Sequence, residues 1–395
     1  MRAISVYNSG SMNKFNLHHN LFASTLVSVI GAFCASRALC SSLVYWGHSQ
    51  RSYLEPIPGG WEGVANWWLN PWTTFDSVWY LQIASQGYQE HTTAFFPLYP
   101  WLLSLAGNDP VIMAGLGIGL SHFALLIALW LVFRLTALEM GKKHAHMAVW
   151  LLAFSPAAPF FGAVYAESLF LALLAGTFLA VRCKHWWLAG LLGMLVALLR
   201  NPGVLIAGAL LFEAWENRRD CQSGQWIAWM FPLGAFLTVQ TWFWQNFDGP
   251  MAGIASQSFY HRQLSWPWLP LIGDLKALFI GENSLPVLLV ISASLLASLG
   301  GLYLTVNGWR RFRVSYLLLI GGITLMNLCM MRQLPPHTIA AVRYMGGLFP
   351  VAQICAWYLI ERLDAWPRVR LLLVGLQLHL FVVYSYLFGL KWFLG

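Results

Sequence analysis

The sequence predicts an all-α polytopic membrane protein, and composition and apolar segment length are the observations that predict it. Of its 395 residues, 58% are hydrophobic and only 10% are charged. A water-soluble fold of this composition would expose far more apolar surface than soluble proteins do. Several windows approach or exceed the roughly 18 apolar residues that mark a membrane span. No linker, low-complexity tract or short-period repeat divides the chain, so we expect a single membrane domain over residues 1–395.

The apolar segments predict about eleven transmembrane helices. They cover about 21–45, 111–135, 145–161, 165–182, 186–200, 203–215, 226–244, 284–306, 314–331, 344–360 and 371–389. Several are shorter than the roughly 20 residues that a perpendicular span needs, and the boundaries between 145 and 215 stay open because the turns there are still apolar. We expect the first span to be a signal-anchor rather than a cleaved signal peptide.

The two longest segments between spans are residues 47–108 and 245–283. Both are aromatic and punctuated by Pro and Gly, which favours structured interfacial segments over flexible tethers. The first segment is therefore expected to carry interfacial helices.

The distribution of Lys and Arg predicts which side of the membrane each loop faces. With the amino terminus in the cytoplasm, fifteen of the 23 Lys and Arg residues lie on the cytoplasmic side. Lys142-Lys143, Arg218-Arg219 and Arg310–Arg313 are among them, as expected for cytoplasmic loops. The net charge of +8 thus reflects membrane orientation, and we expect no nucleic-acid partner.

In this orientation the polar residues that lipid tolerates least fall at the outer ends of the spans. They are Asp76, Glu167, Arg200, His261, Arg262, Arg332, His337 and Arg343. Ionisable residues at membrane depth are rare and usually functional. Their clustering at one leaflet predicts an active site on the extracytoplasmic face.

Asp76 is the first candidate for a catalytic residue. It lies in the aromatic run NPWTTFDSVWYLQIASQGY, just after the first long apolar span. The residues after it, SVWYLQIASQ, have the apolar spacing of an interfacial amphipathic helix. Asp is a favoured N-cap residue, so Asp76 is a helix cap, a general base, or both.

Four further charged residues need partners at the membrane. Glu167 begins a predicted descending helix, where the dipole favours an acid. Arg200 follows an ascending helix, where a cation stabilises the last carbonyl groups. Arg343 opens a descending helix whose dipole repels it, so we expect it to bind an anion. Arg37 leans away from the nearer surface, so a carboxylate such as Glu167 or a lipid phosphate is expected beside it.

Aromatic and loop residues supply candidate substrate contacts. Aromatic side chains that could stack on sugar faces are Trp67, Trp68, Trp72, Trp79, Tyr80 and Tyr99, with an interfacial aromatic belt as the alternative. His261 and Arg262 lie in the second long loop, where a structural polar role is the alternative for His261.

The sequence predicts no metal or disulfide framework. Its six cysteines have no CxxC or other metal-binding spacing. No DxD-type acidic pair appears at the outer face, which argues against a bound divalent metal without excluding one. We expect no resident cofactor.

Four segments resemble the signatures of one enzyme family. FDSVWYLQIASQGY followed by AFFPLYP resembles the first-loop signature of the second mannosyltransferase of glycosylphosphatidylinositol-anchor synthesis and its bacterial relatives. FSPAAPFFGAVYAESLFLALL resembles the second signature, and LLRNPG and VRYMGGLFP resemble later ones, in family order between residues 70 and 350. The family usually has Trp directly before the acid, where this chain has Phe75.

The resemblance implies a glycosyltransferase of the C superfamily in a bacterial inner membrane. Such enzymes transfer a sugar, here mannose, from a polyprenyl-phosphate donor to a lipid or glycan acceptor at the extracytoplasmic face. Asp76 inherits the role of base, in what we expect to be a single inverting displacement. Arg343, with Arg37 or Arg200, would hold the departing phosphate, because a guanidinium fork suits a phosphate. The expected substrate contacts are Glu167, Trp79, Tyr80, Tyr99, His261 and Arg262.

Two other classes of function stay open. A transporter or lipid flippase would also place cations and an intramembrane acid along a path, although the sequence has no inverted repeat. A non-catalytic subunit of a membrane complex would keep the spans and not need Asp76. The sugar, the polyprenol, the acceptor and the oligomeric state cannot be derived from the residues.

Overall fold

The structure is a computed structural model that describes residues 14–51, 63–218, 224–247, 249, 252–280, 283–338, 340–392 and 394. Arg219 and residues 52–62 of the first long loop, about which the sequence made predictions, lie outside the described residues.

The described residues form sixteen α-helices joined by short 3₁₀ turns. The helices are α1 (Lys14–Gln50), α2 (Asp76–Gln86), α3 (Leu98–Ser104), α4 (Pro110–Met140), α5 (Lys142–Ala153), α6 (Glu167–Arg182), α7 (Trp186–Leu199), α8 (Leu205–Glu216), α9 (Met230–Asn246), α10 (Ala252–Ala255), α11 (Leu269–Ile280), α12 (Leu285–Gly308), α13 (Val314–Leu328), α14 (Ala341–Gly346), α15 (Phe349–Trp357) and α16 (Pro367–Gly389). A π-helical turn, Tyr358–Arg362, follows α15.

Four of the described helices are long and apolar enough to cross a membrane. They are Thr25–Gln50, Pro110–Met140, Leu285–Gly308 and Pro367–Gly389. Trp186–Leu199 and Val314–Leu328 are shorter apolar helices. The multi-pass membrane class is therefore supported, whereas the number of eleven spans stays a prediction.

Two predicted spans are interrupted by residues outside any helix. Residues 145–161 comprise most of α5, a break at Ser155-Pro156 and a 3₁₀ turn, Ala158–Phe161. Proline lacks the amide hydrogen and sterically disfavours a helical preceding residue, so the helix ends before it. Residues 344–360 are divided among α14, α15 and the π-helical turn, and the division falls at the glycine pair before Pro350.

The helices pack around a core that is rich in small and aromatic residues. Helix α4 packs against α5 and α6, α7 packs against α6 and α9, and α1 packs against α16. Phe133, Phe161, Tyr165, Phe178 and Phe349 are fully buried between these helices. The segment between α1 and α4 contributes α2 and α3, which pack on each other.

A two-stranded sheet interrupts the predicted all-α fold. Strand β1 (Arg262–Leu264) pairs antiparallel with β2 (Met330–Arg332), and the register places Arg262 opposite Arg332. The predicted span 314–331 therefore ends as helix at Leu328. The sheet attaches the second long loop to the carboxyl end of α13.

A buried charge network lies at the far end of α6 from its first residue. Arg182 donates from Nη1 and Nη2 to the two carboxylate oxygens of Glu213, at 2.8 and 2.7 Å, and from Nε to Glu139 at 2.6 Å. Glu139 also accepts from Arg313 Nε at 2.9 Å. The network joins α4, α6, α8 and the start of α13, and the rise of α6 separates it from Glu167 by about 22 Å.

Candidate functional site

Asp76 is the first residue of α2 and follows a strained residue. Phe75 has φ 58° and ψ −123°, a region that costs a bulky residue about 1–3 kcal/mol. Its buried ring packs near Phe388 of α16, at 6.3 Å between ring centroids. The position where the family usually has Trp therefore faces the core. Phe75 is thus both strained and buried at the point where the chain enters α2.

The Asp76 side chain does not cap its helix. It makes no capping hydrogen bond, and the N-cap position belongs to Phe75. Oδ2 instead accepts from Arg343 Nη1 at 2.5 Å. No donor among the described residues bonds to Oδ1. The capping hypothesis is therefore wrong for this side chain.

Asp76 is one end of a chain of four alternating charges. Glu167 Oε1 accepts from Arg200 Nη1 at 2.5 Å and also from Arg343 Nε. The side-chain exposures are 11% for Arg200, 3% for Glu167, 4% for Arg343 and 18% for Asp76. The chain thus runs from Arg200 through a buried centre to Asp76, which is its most accessible carboxylate.

Arg343 lies in α14 and has its anion within the protein. Two carboxylates bind its guanidinium, which also lies 4.7 Å from the ring centroid of Tyr165 and 5.2 Å from that of Phe160. The prediction that Arg343 needs an anion is met by Glu167 and Asp76. Because these two carboxylates already bind Arg343, its need for an anion no longer indicates a bound lipid phosphate.

Glu167 is buried beside a small cavity. As predicted, it begins α6. The cavity beside it, lined also by Arg200, Arg343 and Tyr344, has a volume of about 20 Å³. A cavity of this volume has room for a water molecule. In this structure Glu167 positions the two arginines, and its direct contact with substrate stays a prediction.

Arg37 lies behind the site instead of in it. Its guanidinium is buried, and Nη1 donates to the carbonyl oxygen of Ala158 at 2.8 Å. Glu167 is not among its bonded partners in the described structure. The predicted carboxylate partner is therefore a backbone carbonyl in the 3₁₀ turn before α6, and Arg37 fixes that turn to α1.

The aromatic candidates of the first loop differ in what they can contact. Tyr99 is fully buried, its ring centroid lies 4.9 Å from that of Tyr80, and its hydroxyl lies 3.4 Å from that of Ser121. Substrate contact by Tyr99 stays a prediction. Tyr80 lies within the electrostatic reach of the charge chain, and burial raises the pKa of its hydroxyl well above the ordinary value. Trp79 packs edge-on against His91 and Tyr260.

The small sheet brings a further cation towards the site. Arg262 lies close enough to Tyr344 to interact electrostatically with its hydroxyl, and Arg200 lies 5.0 Å from the centroid of the Tyr344 ring. Burial, and then the charge of Arg262, lower the pKa of Arg332. His261 is exposed at the turn before β1, and the described contacts do not join it to the charge chain.

Three residues of this region were missed by sequence reasoning. Tyr165 and Tyr344 lie beside the arginines; Tyr344 directly follows Arg343, and Tyr165 lies two residues before Glu167. Asp274 is fully buried in α11 and accepts from the amides of His337 and Thr338, at 2.6 and 3.0 Å. An acid inside the apolar stretch LPLIGDLKALFI was the signal, the same one that identified Glu167.

The described residues include no cluster that could hold a metal ion. Within the described part of the chain, no group of three or more His, Cys, Asp or Glu side chains is placed to hold a metal ion. The absence of a resident cofactor stays a prediction.

Comparisons with known proteins agree with the sequence signatures. Residues 50–218 match the family described as mannosyltransferase (PIG-V). GPI alpha-1,6-mannosyltransferase 2 of Rattus norvegicus is 33% identical over 162 residues, which are 38% of this chain and 32% of that protein. The match thus spans about a third of the relative. The signature VRYMGGLFP lies beyond the matched family region.

The whole chain also has a structural relative. The apo crystal structure of the Archaeoglobus fulgidus oligosaccharyltransferase superposes with a TM-score of 0.52 at 12% identity, over 92% of this chain and 56% of that one. At this identity the likeness concerns the fold alone. The sequence matches confirm the resemblance to the glycosylphosphatidylinositol mannosyltransferase 2 family, and the fold is similar to that of the archaeal oligosaccharyltransferase.

Proposed function

We propose that the protein is a membrane mannosyltransferase that uses a polyprenyl-phosphate sugar as donor and a lipid or glycan as acceptor. The observation that carries the proposal is the asymmetry of the Asp76 carboxylate. One oxygen is bound by a buried arginine, and the other has no donor among the described residues. Mannose as the sugar is supported by the family match over residues 50–218.

The proposed reaction is a single displacement with inversion at the anomeric carbon. The acceptor hydroxyl oxygen attacks that carbon, and its proton passes to Asp76 Oδ1. The bond between the anomeric carbon and the phosphate oxygen breaks, and the polyprenyl phosphate leaves with the bonding electron pair. General-base assistance of this kind contributes roughly 10²–10⁴-fold to the rate.

Arg343 is a positioning residue in this mechanism. Its guanidinium is already bound by Asp76 and Glu167, and only 4% of the side chain is exposed. It fixes Oδ2 and thereby directs Oδ1 towards the acceptor. Binding of the departing phosphate is assigned instead to Arg200 and Arg262, which approach the Tyr344 ring and hydroxyl.

Arg332 completes the proposed phosphate site. The register of the small sheet holds its charge directly opposite that of Arg262. Like charges opposite each other destabilise a sheet, and a phosphate beside them offsets the repulsion. This arrangement supports an anionic substrate group on the sheet side of Asp76.

The location of the reaction is proposed to be the extracytoplasmic face of a bacterial plasma membrane. Support comes from the Lys and Arg distribution, since Lys142, Lys143 and Arg313 lie at the end of the fold opposite Asp76.

Sugar transfer by the purified protein tests the proposal. The purified protein in lipid nanodiscs is given radiolabelled polyprenyl-phosphate mannose as donor. A lipid extract from a strain that lacks this protein supplies the acceptor. We expect labelled product from the wild type and at least a 10²-fold lower rate from Asp76→Asn. Asp109→Asn is the matched control, because Asp109 does cap a helix, and asparagine caps equally well.

Two outcomes would contradict the proposal. Near-wild-type transfer by a folded Asp76→Asn variant would remove Asp76 as the base. Movement of the labelled donor across the bilayer by the wild type, with no transfer to any acceptor, would favour a flippase.

A further inference from the structure

A cleft lies at the opposite end of the fold from Asp76, between the last turns of α12 and the π-helical turn after α15. It has a volume of about 730 Å³ and is lined by Tyr303, Val306, Asn307, Trp309, Arg310, Arg311, Tyr358 and Arg362. The loop that carries Arg310 and Arg311 continues to Arg313, which bonds Glu139 in the network at the far end of α6. The cleft therefore belongs to the face that is predicted to be cytoplasmic.

The cleft concentrates positive charge without local compensation. Within the described structure, no carboxylate lies at ion-pair distance from Arg310, Arg311 or Arg362. The two nearest acids along the chain are engaged elsewhere, Glu361 with His144 at 3.1 Å and Asp364 with Arg370 at 3.6 Å. An anion that entered the cleft would meet three cations and no competing carboxylate.

Two of these cations are held against one aromatic ring. The guanidinium carbons of Arg311 and Arg362 each lie 5.6 Å from the ring centroid of Trp357. Tyr303 of α12 and Tyr358 of the π-helical turn line the two walls of the cleft. The wall at Tyr358 is a π-helical turn, a conformation that is rare and frequent at functional sites. The arginines are thus pre-positioned, and their mutual repulsion is relieved when an anion binds between them.

An exposed apolar stripe leads along α12 into the cleft. Leu296, Leu299, Tyr303 and Val306 follow helical spacing, and their exposures are 56%, 50%, 55% and 73%. In a helix long and apolar enough to span the membrane, such a stripe faces hydrocarbon. A ligand that carries both a phosphate and an acyl chain satisfies the arginines and the stripe together, whereas a soluble phosphate ester uses only the arginines.

We propose that this cleft binds the phosphodiester headgroup of an anionic phospholipid, whose acyl chain lies along the exposed stripe of α12. The site is separate from Asp76 and does not depend on the proposed transferase reaction. Its location at the predicted cytoplasmic face places the lipid in the leaflet that carries anionic lipids.

Lipid binding by the full chain tests this proposal. Wild type in detergent is titrated with short-chain phosphatidylglycerol and phosphatidylcholine, and bound lipid is measured by native mass spectrometry. We expect at least a 10-fold preference for phosphatidylglycerol, and at least a 10-fold loss of its affinity in Arg311→Gln/Arg362→Gln. The control, Arg134→Gln/Arg368→Gln, removes the same charge from exposed positions outside the cleft and should lose less than about 2-fold.

Several outcomes would overturn the proposal. Equal loss in both double variants would indicate diffuse surface charge, and equal binding of both lipids by the wild type would exclude a phosphate-selective site. Displacement of the lipid by millimolar glycerol phosphate would assign the cleft to a soluble phosphate ester. If the double variant does not purify as a folded protein, Arg362→Gln alone is measured, and affinity within 2-fold of wild type would contradict the proposal.

Discussion

The two oxygens of the Asp76 carboxylate have different surroundings, and Arg343 creates the difference. Oδ2 is held by a guanidinium that is itself fixed by Glu167 and by the rings of Tyr165 and Phe160. These contacts favour one orientation of the arginine and, through it, of the carboxylate. A base that is held in one orientation needs no reorganisation when the acceptor hydroxyl arrives.

Replacing Arg343 distinguishes its two possible roles, which are to orient the Asp76 carboxylate and to bind the donor phosphate. We expect Arg343→Gln to lower the free energy of unfolding by about 3–5 kcal/mol, because Glu167 and Asp76 lose their shared cation while largely buried. In protein that remains folded, we expect kcat to fall at least 10-fold and the KM for the donor to change less than about 3-fold. Thermal unfolding and transfer kinetics measure the two effects.

Arg368→Gln is the control for Arg343, since Arg368 is exposed at the other end of the fold. The opposite kinetic pattern, a donor KM raised at least 10-fold with an unchanged kcat, would return Arg343 to the phosphate site.

At the scale of elements, the small sheet brings together two arginines from separate segments of the chain. Strand β1 comes from the second long loop and β2 follows α13, so their pairing holds Arg262 beside Arg332 and near Tyr344. A register shift of one residue would turn both side chains to the other face. The position of the proposed phosphate site thus depends on strand pairing as well as on residue type.

Arg262→Gln tests the assigned phosphate site. Loss of a charge-assisted contact typically costs about 1.5–3 kcal/mol, which corresponds to roughly a 10- to 150-fold rise in the donor KM. We expect kcat to change little, because Arg262 does not contact Asp76 in the described hydrogen bonds. Lys276→Gln removes an exposed cation from the neighbouring helix and should leave the donor KM within about 2-fold. A similar KM rise in both variants would indicate a general effect of loop charge.

Asp274 is the residue that holds the loop before α14 in place. Its carboxylate accepts from two backbone amides and from the Thr338 hydroxyl, and it is fully buried. The loop leads directly to Arg343. Helix α11, which carries Asp274, thereby supports the charge chain without contacting it.

We expect Asp274→Ala to destabilise the protein by about 2–4 kcal/mol, because three donors lose their acceptor. Asp274→Asn keeps one acceptor oxygen and should recover part of the loss. Thermal unfolding of both variants and of the wild type checks whether Asp274→Asn is more stable than Asp274→Ala and less stable than the wild type. Equal stability of Asp274→Ala and wild type would show that the loop is held by other contacts.

At the scale of the whole molecule, buried charges occur at both ends of α6. Glu167 begins the helix and belongs to the chain that ends at Asp76, whereas Arg182 ends the helix and binds Glu139 and Glu213. Charges are expensive in a membrane unless they are paired, so both groups restrict how the helices can assemble. One group presents a carboxylate to ligands, and the other fixes the ends of four helices.

The residue types of the site could be predicted from the sequence, because an acid or arginine in an apolar segment stands out. Asp76, Glu167, Arg200 and Arg343 were selected in this way, and the structure brings them into one chain. Their pairings could not be predicted, since they depend on how α2, α6 and α14 meet. Arg37 shows the limit, because its Nη1 donates to a backbone carbonyl and carbonyls carry no sequence signal.

The sequence predicted the presence of the apolar helices better than the residues at which they begin and end. The strand at Met330–Arg332 directly follows an apolar helix, and three residues are too few to show a period of two. The break at Ser155-Pro156 was visible as a proline signal, yet the surrounding apolar residues suggested a continuous span. Hydropathy alone cannot separate a spanning helix from a buried helix with a turn.

The orientation of the fold gives the last prediction. Helix α4 has 31 residues and rises about 46 Å, enough to cross the bilayer, with Asp109 before its start and Lys142 beyond its end. We expect a cysteine at position 89 to react with a membrane-impermeant maleimide added outside, and a cysteine at position 142 to react only after the membrane is permeabilised. Both substitutions are made in a background with Cys34→Ser, Cys183→Ser and Cys221→Ser. Cys34 and Cys183 are exposed, and Cys221 lies in the predicted cytoplasmic loop after Arg219, so each of them could be labelled. Labelling of positions 89 and 142 from the same side would overturn the predicted topology and remove the Lys and Arg argument for an extracytoplasmic Asp76.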